Sequence, residues 1–362
     1  MTTTERLELI KEVGQEIIEE EELKQLLDSG RSIIAYDGFE PSGKIHIAQG
    51  LLRAININKM VKAGVRFKML IADWHALANN KMGGDLSKIQ TVGRYFIEVW
   101  KSVGIDLSGV EFVWASELVK NPNYWKLVLQ IAKTNSIRRF IRTAEIMGRE
   151  ESFDLSAAQI IYPCMQTADI FTLEANVTQL GMDQRKVNML AREVGETLGY
   201  WKPIVVSHRM LMGLGKPPGK TDDRVKRTIE MKMSKSKPES SIFMTDRLED
   251  IENKLNRAYC PPAQVDENPI MEYFHYIIFE SQPFKKKGII IRRSPEHGGD
   301  LEVPSYDQLS QLYQDSSIHP ADLKTAAAGC LDSLLSPVRV YFEENTEAKR
   351  LKETVEGFTV TR

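Results

Sequence analysis

The sequence predicts an α/β chain: a doubly wound parallel-sheet domain followed by a mainly α-helical one. Three observations carry this. Short β-type runs at Ser32–Tyr36, Phe67–Asp73 and Val110–Ala115 alternate with helical patterns over 46–62 and 87–104, which is the signature of βαβ units with right-handed crossovers. After Leu248 the patterns are almost all helical. The 362 residues suit two domains of roughly 100–200 residues each better than one. We place the boundary at 240, giving a domain over 1–240 and a second over 241–362.

In order, residues 4–28 set Leu7, Ile10, Val13, Ile17 and Leu27 near helical spacing among many glutamates, predicting one amphipathic surface helix. The Ser32–Tyr36 strand then breaks into Asp37–Lys44, a turn-rich loop. A helix is expected from about His46 to Lys62. Residues 117–200 read as mostly helical, and Ile204-Val205-Val206 returns to the sheet. Residues 213–241 hold Gly, Pro, Lys and Ser without periodicity and are expected to form a mobile loop. Beyond it, a short β element is expected near Gly288–Ile291, then helices near 321–335 and 337–352. Ligands of open α/β sheets bind beyond the carboxyl ends of the strands, where the Asp37–Lys44 loop falls.

The net charge is −2, so any nucleic-acid surface has to be local. Residues 203–237 hold nine Lys or Arg against Asp222, Asp223 and Glu230, and Arg138, Arg139 and Arg142 cluster on an expected helix. Such clusters are either solvated faces or polyphosphate and RNA footprints. Cys164, Cys260 and Cys330 are widely spaced and odd in number, which excludes a disulfide framework and fits a reducing cytosol. No apolar run approaches the ~18 residues of a membrane span, and the acidic N-terminus resembles neither a signal nor a transit peptide. The expected location is cytoplasmic.

Four constellations carry chemistry. Pro41–Gln49 follows a strand and is expected to open a helix, whose free N–H groups attract phosphate; Gly43 lets backbone approach closely, and Lys44 and His46 add charge or donors. Lys232-Met233-Ser234-Lys235-Ser236 sets two lysines three apart on a loop, suited to neutralising charge that develops on a leaving polyphosphate. In Tyr162–Asp169, Tyr162, Gln166 and Asp169 share one helical face in apolar surroundings, with Pro163 expected at the first helical position. A buried Asp needs a partner or a purpose; a surface Asp and Gln are the alternative. In Gly181–Lys186, Gly181 permits close approach, Asp183 can accept from ribose hydroxyls and Gln184 can bond an amino acid, with helix capping by Asp183 as the alternative.

The first two constellations together resemble the HIGH and KMSKS signatures of class I aminoacyl-tRNA synthetases. Lys232–Ser236 matches in full. In the first, His46 holds the leading His position, while Ala48 replaces Gly and Gln49 the last His. Tyr36–Lys44, Ala72-Asp73-Trp74-His75-Ala76, Tyr162–Asp169, Gly181–Lys186 and His319–Lys324 resemble the tyrosyl branch in its eukaryotic and archaeal form, from residue 36 to 324. The resemblance implies a Rossmann-like catalytic domain, an α-helical anticodon-binding domain and a homodimer, with no membrane association. The implied reaction is activation of L-tyrosine by ATP and transfer of tyrosine to the terminal adenosine of tRNA(Tyr). Mg²⁺ would be held mainly by ATP rather than by protein ligands. Tyr36 and Asp169 would bind the phenol hydroxyl, and Tyr162, Gln166 and Gln184 the α-amino end. Gly38, His46, Gly181, Asp183, Lys232, Ser234 and Lys235 would bind ATP, with His46, Gln49, Lys232 and Lys235 acting in catalysis. Arg138, Arg139, Arg142, Arg185 and Lys186 are candidates for the acceptor stem, and His319 and Asp322 for the anticodon. The rivals are a tryptophanyl enzyme, since Asp169 could also accept from an indole N–H, a small nucleotidyltransferase, and a catalytically silent RNA-binding relative.

Overall fold

The computed structural model describes residues 1–147, 155–219 and 224–358. Six strands form the central sheet: β1 (Gly14–Ile18), β2 (Ile33–Phe39), β3 (Val65–Ile71), β4 (Val110–Trp114), β5 (Val177–Thr178) and β6 (Ile204–His208). Their order is β1-β6-β5-β2-β3-β4. All pairs are parallel except the edge pair β1–β6. β2 is buried along most of its length, as expected of a central strand covered by helices on both faces. The chain winds from β2 to β3 and β4 on one side and returns to β5 and β6 on the other. The topological switch point lies between β2 and β5, where such sheets open a crevice.

The alternation of strand and helix is therefore as expected, but several boundaries move. The single helix expected over 4–28 is two, Thr3–Val13 and Glu20–Asp28, separated by β1. Gly14 disfavours helix and the β-branched pair Ile17-Ile18 favours extended backbone, and pairing with β6 satisfies the open edge of that strand. β2 runs on through Asp37-Gly38-Phe39, so the turn begins only at Glu40. The helix expected from His46 starts at Leu51. His46 itself bridges to Phe243, and residues 47–50 form a turn into the helix. The 213–241 segment is not aperiodic: it contains the helix Arg224–Met231 and a bridge between Met212 and Lys232. Lys220, Asp222 and Asp223 of the basic stretch lie outside the described residues. Pro163 is inside the helix Ala157–Thr172 rather than at its start, because Ser156 with Gln159 forms a complete capping box at the helix start, ahead of Pro163.

After residue 248 the expected helices appear, and the β element near 288 is real. β7 (Ile289–Ile291) pairs antiparallel with β8 (Leu301–Val303). The two helices expected on either side of residue 336 are one, Pro320–Glu344, running through Pro337. Its buried face, Leu331, Leu335, Val338 and Phe342, keeps the helix continuous across the lost hydrogen bond. The break comes at Asn345, which caps the final helix Thr346–Glu356. The C-terminal helices return to the sheet domain: Phe342 packs on Tyr95 with ring centroids 5.6 Å apart, and Tyr341 donates to Glu98.

Candidate active site

A cleft of about 380 Å³ opens at the switch point. β2 delivers Tyr36, Asp37 and Gly38, the turn after it Glu40 and His46, the Ala157–Thr172 helix Tyr162, Gln166 and Asp169, and the segment after β5 Gly181, Asp183 and Gln184. The residues after β6 and the Lys232–Ser236 segment close the other wall.

The closed end is built around Asp169, which is 1% exposed. The Tyr124 hydroxyl donates to its Oδ1 at 2.9 Å, and His75 Nε2 stands 2.9 Å from its Oδ2. Burial disfavours the His75 cation, yet the Asp169 charge and contact outweigh burial and raise its pKa above the usual value. Beside Asp169, the Tyr36 hydroxyl and Gln166 Oε1 are buried without a well-aligned hydrogen-bond partner among the described residues. Burial first, then the charges of Asp169 and Asp37, push the Tyr36 phenol well above its ordinary pKa, so it stays a neutral donor and acceptor. Such unpaired buried groups are costly unless a ligand satisfies them.

One helical turn or two up, Tyr162 donates to Glu40 Oε1 at 2.8 Å. Glu40 also takes Asn79 Nδ2 at 3.0 Å and faces Lys81 Nζ at 3.6 Å. Gln166 donates to Gln184 Oε1 at 3.0 Å, and Gln184 to the Ile146 carbonyl at 3.0 Å. This ring presents one carboxylate and several amide and hydroxyl groups, a setting for an ammonium.

The open end is cationic. Lys232 Nζ donates to Asp183 Oδ2 at 2.6 Å. Burial would raise the Asp183 carboxyl, but the Lys232 ammonium holds it below its usual range. Asp183 makes no helix cap, since neither helix that starts there has a side-chain cap bond. A Cβ on Gly181 would collide with Met210 Sδ and lie 2.7 Å from Asp183 Oδ1, so a larger residue would have to push these two side chains aside. Lys235 Nζ lies 4.4 Å over the Phe96 ring, buried and without a hydrogen-bond partner among the described residues. Burial, with Lys81 nearby, pulls its pKa down to about 7. An anion entering here would restore its charge. His46 is also buried, and burial together with Lys235 and Lys232 lowers its pKa well below the usual value. It contributes a neutral imidazole, so of the charge or donor expected of it the donor is what the site keeps. Gln49 Oε1 is buried in the same wall, with no hydrogen-bond partner among the described residues. Gly43, at φ 98°, needs glycine's freedom, but Lys44 turns outward to Glu356 at 3.8 Å and does not line the cleft.

The structure thus brings together Tyr36, Gly38, His46, Gln49, Tyr162, Gln166, Asp169, Gly181, Asp183, Gln184, Lys232, Ser234 and Lys235. Sequence reasoning assigns no role to five residues now seen here. His75 and Tyr124 grip Asp169. Glu40 anchors the ring above. Arg53, 1% exposed, pairs with Asp37 Oδ2 at 3.1 Å beneath the cleft. His75, Glu40 and Asp37 lie in stretches that carry the family resemblance; nothing in the pattern points Tyr124 or Arg53 inward.

This geometry can be set beside known proteins. The model of class I tRNA synthetases for W and Y matches residues 28–336. The chain is 47% identical to cytoplasmic tyrosine–tRNA ligase 1 of Arabidopsis thaliana over 99% of this chain and 89% of that protein.

The chain belongs to the tyrosyl-tRNA synthetase family.

The Pyrococcus horikoshii tyrosyl-tRNA synthetase, solved with L-tyrosine, superposes with a TM-score of 0.89 at 36% identity, covering 98% of this chain and 100% of that one. A Leishmania major tyrosyl-tRNA synthetase, solved with tyrosinol, gives a TM-score of 0.88 at 40% identity; the match covers 99% of this chain but only 61% of that longer one. The remaining candidates of this synthetase lie outside the cleft. Arg138 and Arg142 are on the helix Ile137–Thr143, away from the cleft lining. Arg139 pairs with Glu193 at 2.9 Å, Arg185 with Glu16 at 2.9 Å, and Lys186 Nζ donates to the Arg142 carbonyl at 3.2 Å. His319 caps the Pro320–Glu344 helix, its Nδ1 accepting from Ala321 N at 3.1 Å, with Asp322 in the first turn.

Proposed function

We propose that the cleft activates L-tyrosine with ATP and passes the tyrosyl group to tRNA(Tyr). The observation that carries this reading is the closed end: a buried carboxylate beside a buried tyrosine hydroxyl that lacks a well-aligned partner. They match a phenol hydroxyl that donates to Asp169 and accepts from Tyr36. Phenylalanine would leave the Tyr36 hydroxyl unpaired and deny Asp169 the substrate's bond beyond those of Tyr124 and His75, and that is the physical basis of rejection, for which this enzyme family is itself the standard example. Glu40, Tyr162, Gln166 and Gln184 surround the α-ammonium. The substrate carboxylate then points toward the cationic end. There its oxygen attacks the α-phosphorus of ATP in line, the new O–P bond forms, the bond to the bridging oxygen breaks and pyrophosphate leaves. Little covalent chemistry is asked of the protein, so positioning and charge stabilisation dominate. Asp183 and Gly181 take the ribose, displacing Lys232, which moves with Lys235 and Ser234 to the phosphates. His46 and Gln49 donate hydrogen bonds there without charge.

Mg²⁺ fits this site as a companion of ATP. The lining carboxylates Asp37, Asp183, Glu40 and Asp169 already face Arg53, Lys232, Lys81 and His75, so phosphate oxygens would be its main ligands. Bound, it would neutralise phosphate charge. In the second step the 2′-hydroxyl of the terminal adenosine attacks the tyrosyl carbonyl and AMP leaves.

The same reading divides the chain into a catalytic domain over 1–240 and an anticodon-binding domain over 241–362. It assigns Arg138, Arg139, Arg142, Arg185 and Lys186 to the acceptor stem and His319 with Asp322 to the anticodon. A homodimer is supported by exposed Leu129 (65%), Ile137 (66%) and Ile161 (40%) on neighbouring helices, an apolar set that a monomer would leave wet. A cytoplasmic location is supported by the Arabidopsis relative's name, and no helix among the described residues is long and apolar enough to cross a membrane. The test is charging: labelled tyrosine should appear as a base-labile ester on a tRNA(Tyr) transcript only when ATP is present. No ester with an enzyme that makes adenylate would refute the second step.

A further inference from the structure

The Lys232–Ser236 segment is paired through its backbone with one short strand. Residues 211–213 pair with it: Met233 N donates to the Leu211 carbonyl at 2.7 Å and Gly213 N to the Met231 carbonyl at 2.9 Å. Backbone groups of neighbouring residues in an extended strand point to opposite edges. The Met212 peptide groups therefore face away from the lysine segment, and both are taken by the second domain. Met212 N donates to Glu272 Oε2 at 2.7 Å, and the Tyr273 hydroxyl donates to the Met212 carbonyl at 2.8 Å. Glu272 and Tyr273 are consecutive on the helix Pro269–Tyr273, and both are buried.

The other Glu272 oxygen is fixed as well. Oε1 accepts from Arg209 Nη1 at 3.0 Å, and Arg209 lines the cleft just after β6. Its guanidinium lies 4.5 Å over the Tyr276 ring. Tyr276 stacks on His275 with centroids 4.1 Å apart, and His275 on Tyr306 at 4.0 Å. Tyr306 starts the helix Tyr306–Gln314. The lysine segment is thus tied by backbone pairing to 211–213, and 211–213 by side chains to the helical domain.

We infer that Glu272 and Tyr273 are positioning residues for adenylate formation, acting from the second domain by fixing the strand that registers Lys232 and Lys235. They touch neither substrate nor reacting atoms. A displacement on the order of 1 Å at a group that acts on developing charge can cost up to about a hundredfold in rate. Tyrosine binding lies at the opposite end of the cleft and should be indifferent. The inference rests on the proposed role of the two lysines at the phosphates.

The experiment compares Tyr273→Phe, Glu272→Gln, Glu272→Ala and Lys232→Ala with the intact full-length chain. It measures single-turnover adenylate formation alongside the tyrosine Kd in the absence of ATP. Tyr273→Phe deletes one hydroxyl and keeps the ring, so it carries the test if Glu272→Ala does not fold. We expect Tyr273→Phe and Glu272→Ala each to slow adenylate formation about tenfold or more with the tyrosine Kd within about twofold of wild type. Glu272→Gln should recover part of the loss, because its amide oxygen still accepts from Met212 N–H. If Lys232→Ala slows the reaction and Tyr273→Phe does not, the positioning role is overturned and the lysine role stands. If rate and tyrosine affinity fall together in all of the variants, the two residues are merely structural and the inference fails. If Lys232→Ala keeps the normal rate, the reading of the lysines fails first.

Discussion

Asp169→Ala separates what Asp169 does for the fold from what it does for the substrate. In the free protein its carboxylate serves two buried neighbours, the Tyr124 hydroxyl at 2.9 Å and His75 Nε2 at 2.9 Å. Those contacts exist with and without ligand, so losing them lowers stability but cancels from the binding equilibrium. Stranding one buried donor costs about 1–3 kcal/mol, which predicts a clearly lower Tm. The third contact is made only when substrate arrives. A hydrogen bond from the phenol hydroxyl to a charged acceptor contributes about 1.5–3 kcal/mol. That corresponds to a roughly 10- to 150-fold loss of kcat/KM for tyrosine. Phenylalanine makes no such bond, so its kcat/KM should change far less, and discrimination between the two should shrink by a similar factor. The assay is amino-acid-dependent pyrophosphate exchange with each substrate on protein shown to be folded by circular dichroism. ATP affinity should survive, since Asp183 and the lysines lie at the other end. An unchanged kcat/KM for tyrosine, or equal losses for tyrosine and phenylalanine, would remove Asp169 from the hydroxyl-reading role.

Two further outcomes follow from the geometry. The folded His75 imidazole holds its proton more tightly than the usual value of 6.5, because Asp169 outweighs burial. The stability it contributes is complete below about pH 6.5 and is lost as pH rises through the raised folded value. Tm should therefore decline over that window more in wild type than in His75→Gln, and parallel profiles would show that the pair does not carry the proton. At the far end of the molecule, changing both His319 and Asp322 to Ala should leave pyrophosphate exchange intact while lowering charging of tRNA with the normal anticodon. A double variant that still prefers the normal over an altered anticodon by the wild-type ratio would reduce the pair to the helix cap seen between His319 and Ala321.

Much of this fold is legible in the sequence, for physical reasons that differ by element. β2 and β3 stand out as apolar runs between turn residues because central parallel strands are buried on both sides, while β4, at the sheet edge and only part-buried, shows through its β-branched and aromatic residues. β1 hides inside a helical period: Leu7, Ile10 and Val13 do lie on a helix, and only pairing with β6 decides the state of Gly14–Ile18. β5 and β8, of two and three residues, are too short to have a period. Pro163 and Pro337 carry the local signal of a helix end and are interior, since packing of the flanking turns outweighs one missing hydrogen bond. In the site, the face shared by Tyr162, Gln166 and Asp169 follows from helical spacing alone. Their partners do not: Tyr124 reaches Asp169 from a helix 45 residues away in sequence, and Arg53 reaches Asp37 from the helix Leu51–Lys62. Spacing along one element is written in the sequence, whereas contacts between elements wait on the fold. The same limit explains Glu272, an ordinary acid in the sequence until the second domain is seen to hold the Met212 peptide.

On the proposed reading, the buried end of the cleft recognises a phenol hydroxyl on an amino acid about to be joined to AMP. Exchange of labelled pyrophosphate into ATP by the purified chain, one amino acid at a time, measures this without any variant. We expect strong exchange with L-tyrosine and none above background with tryptophan. Exchange driven by tryptophan but not by tyrosine would contradict the reading.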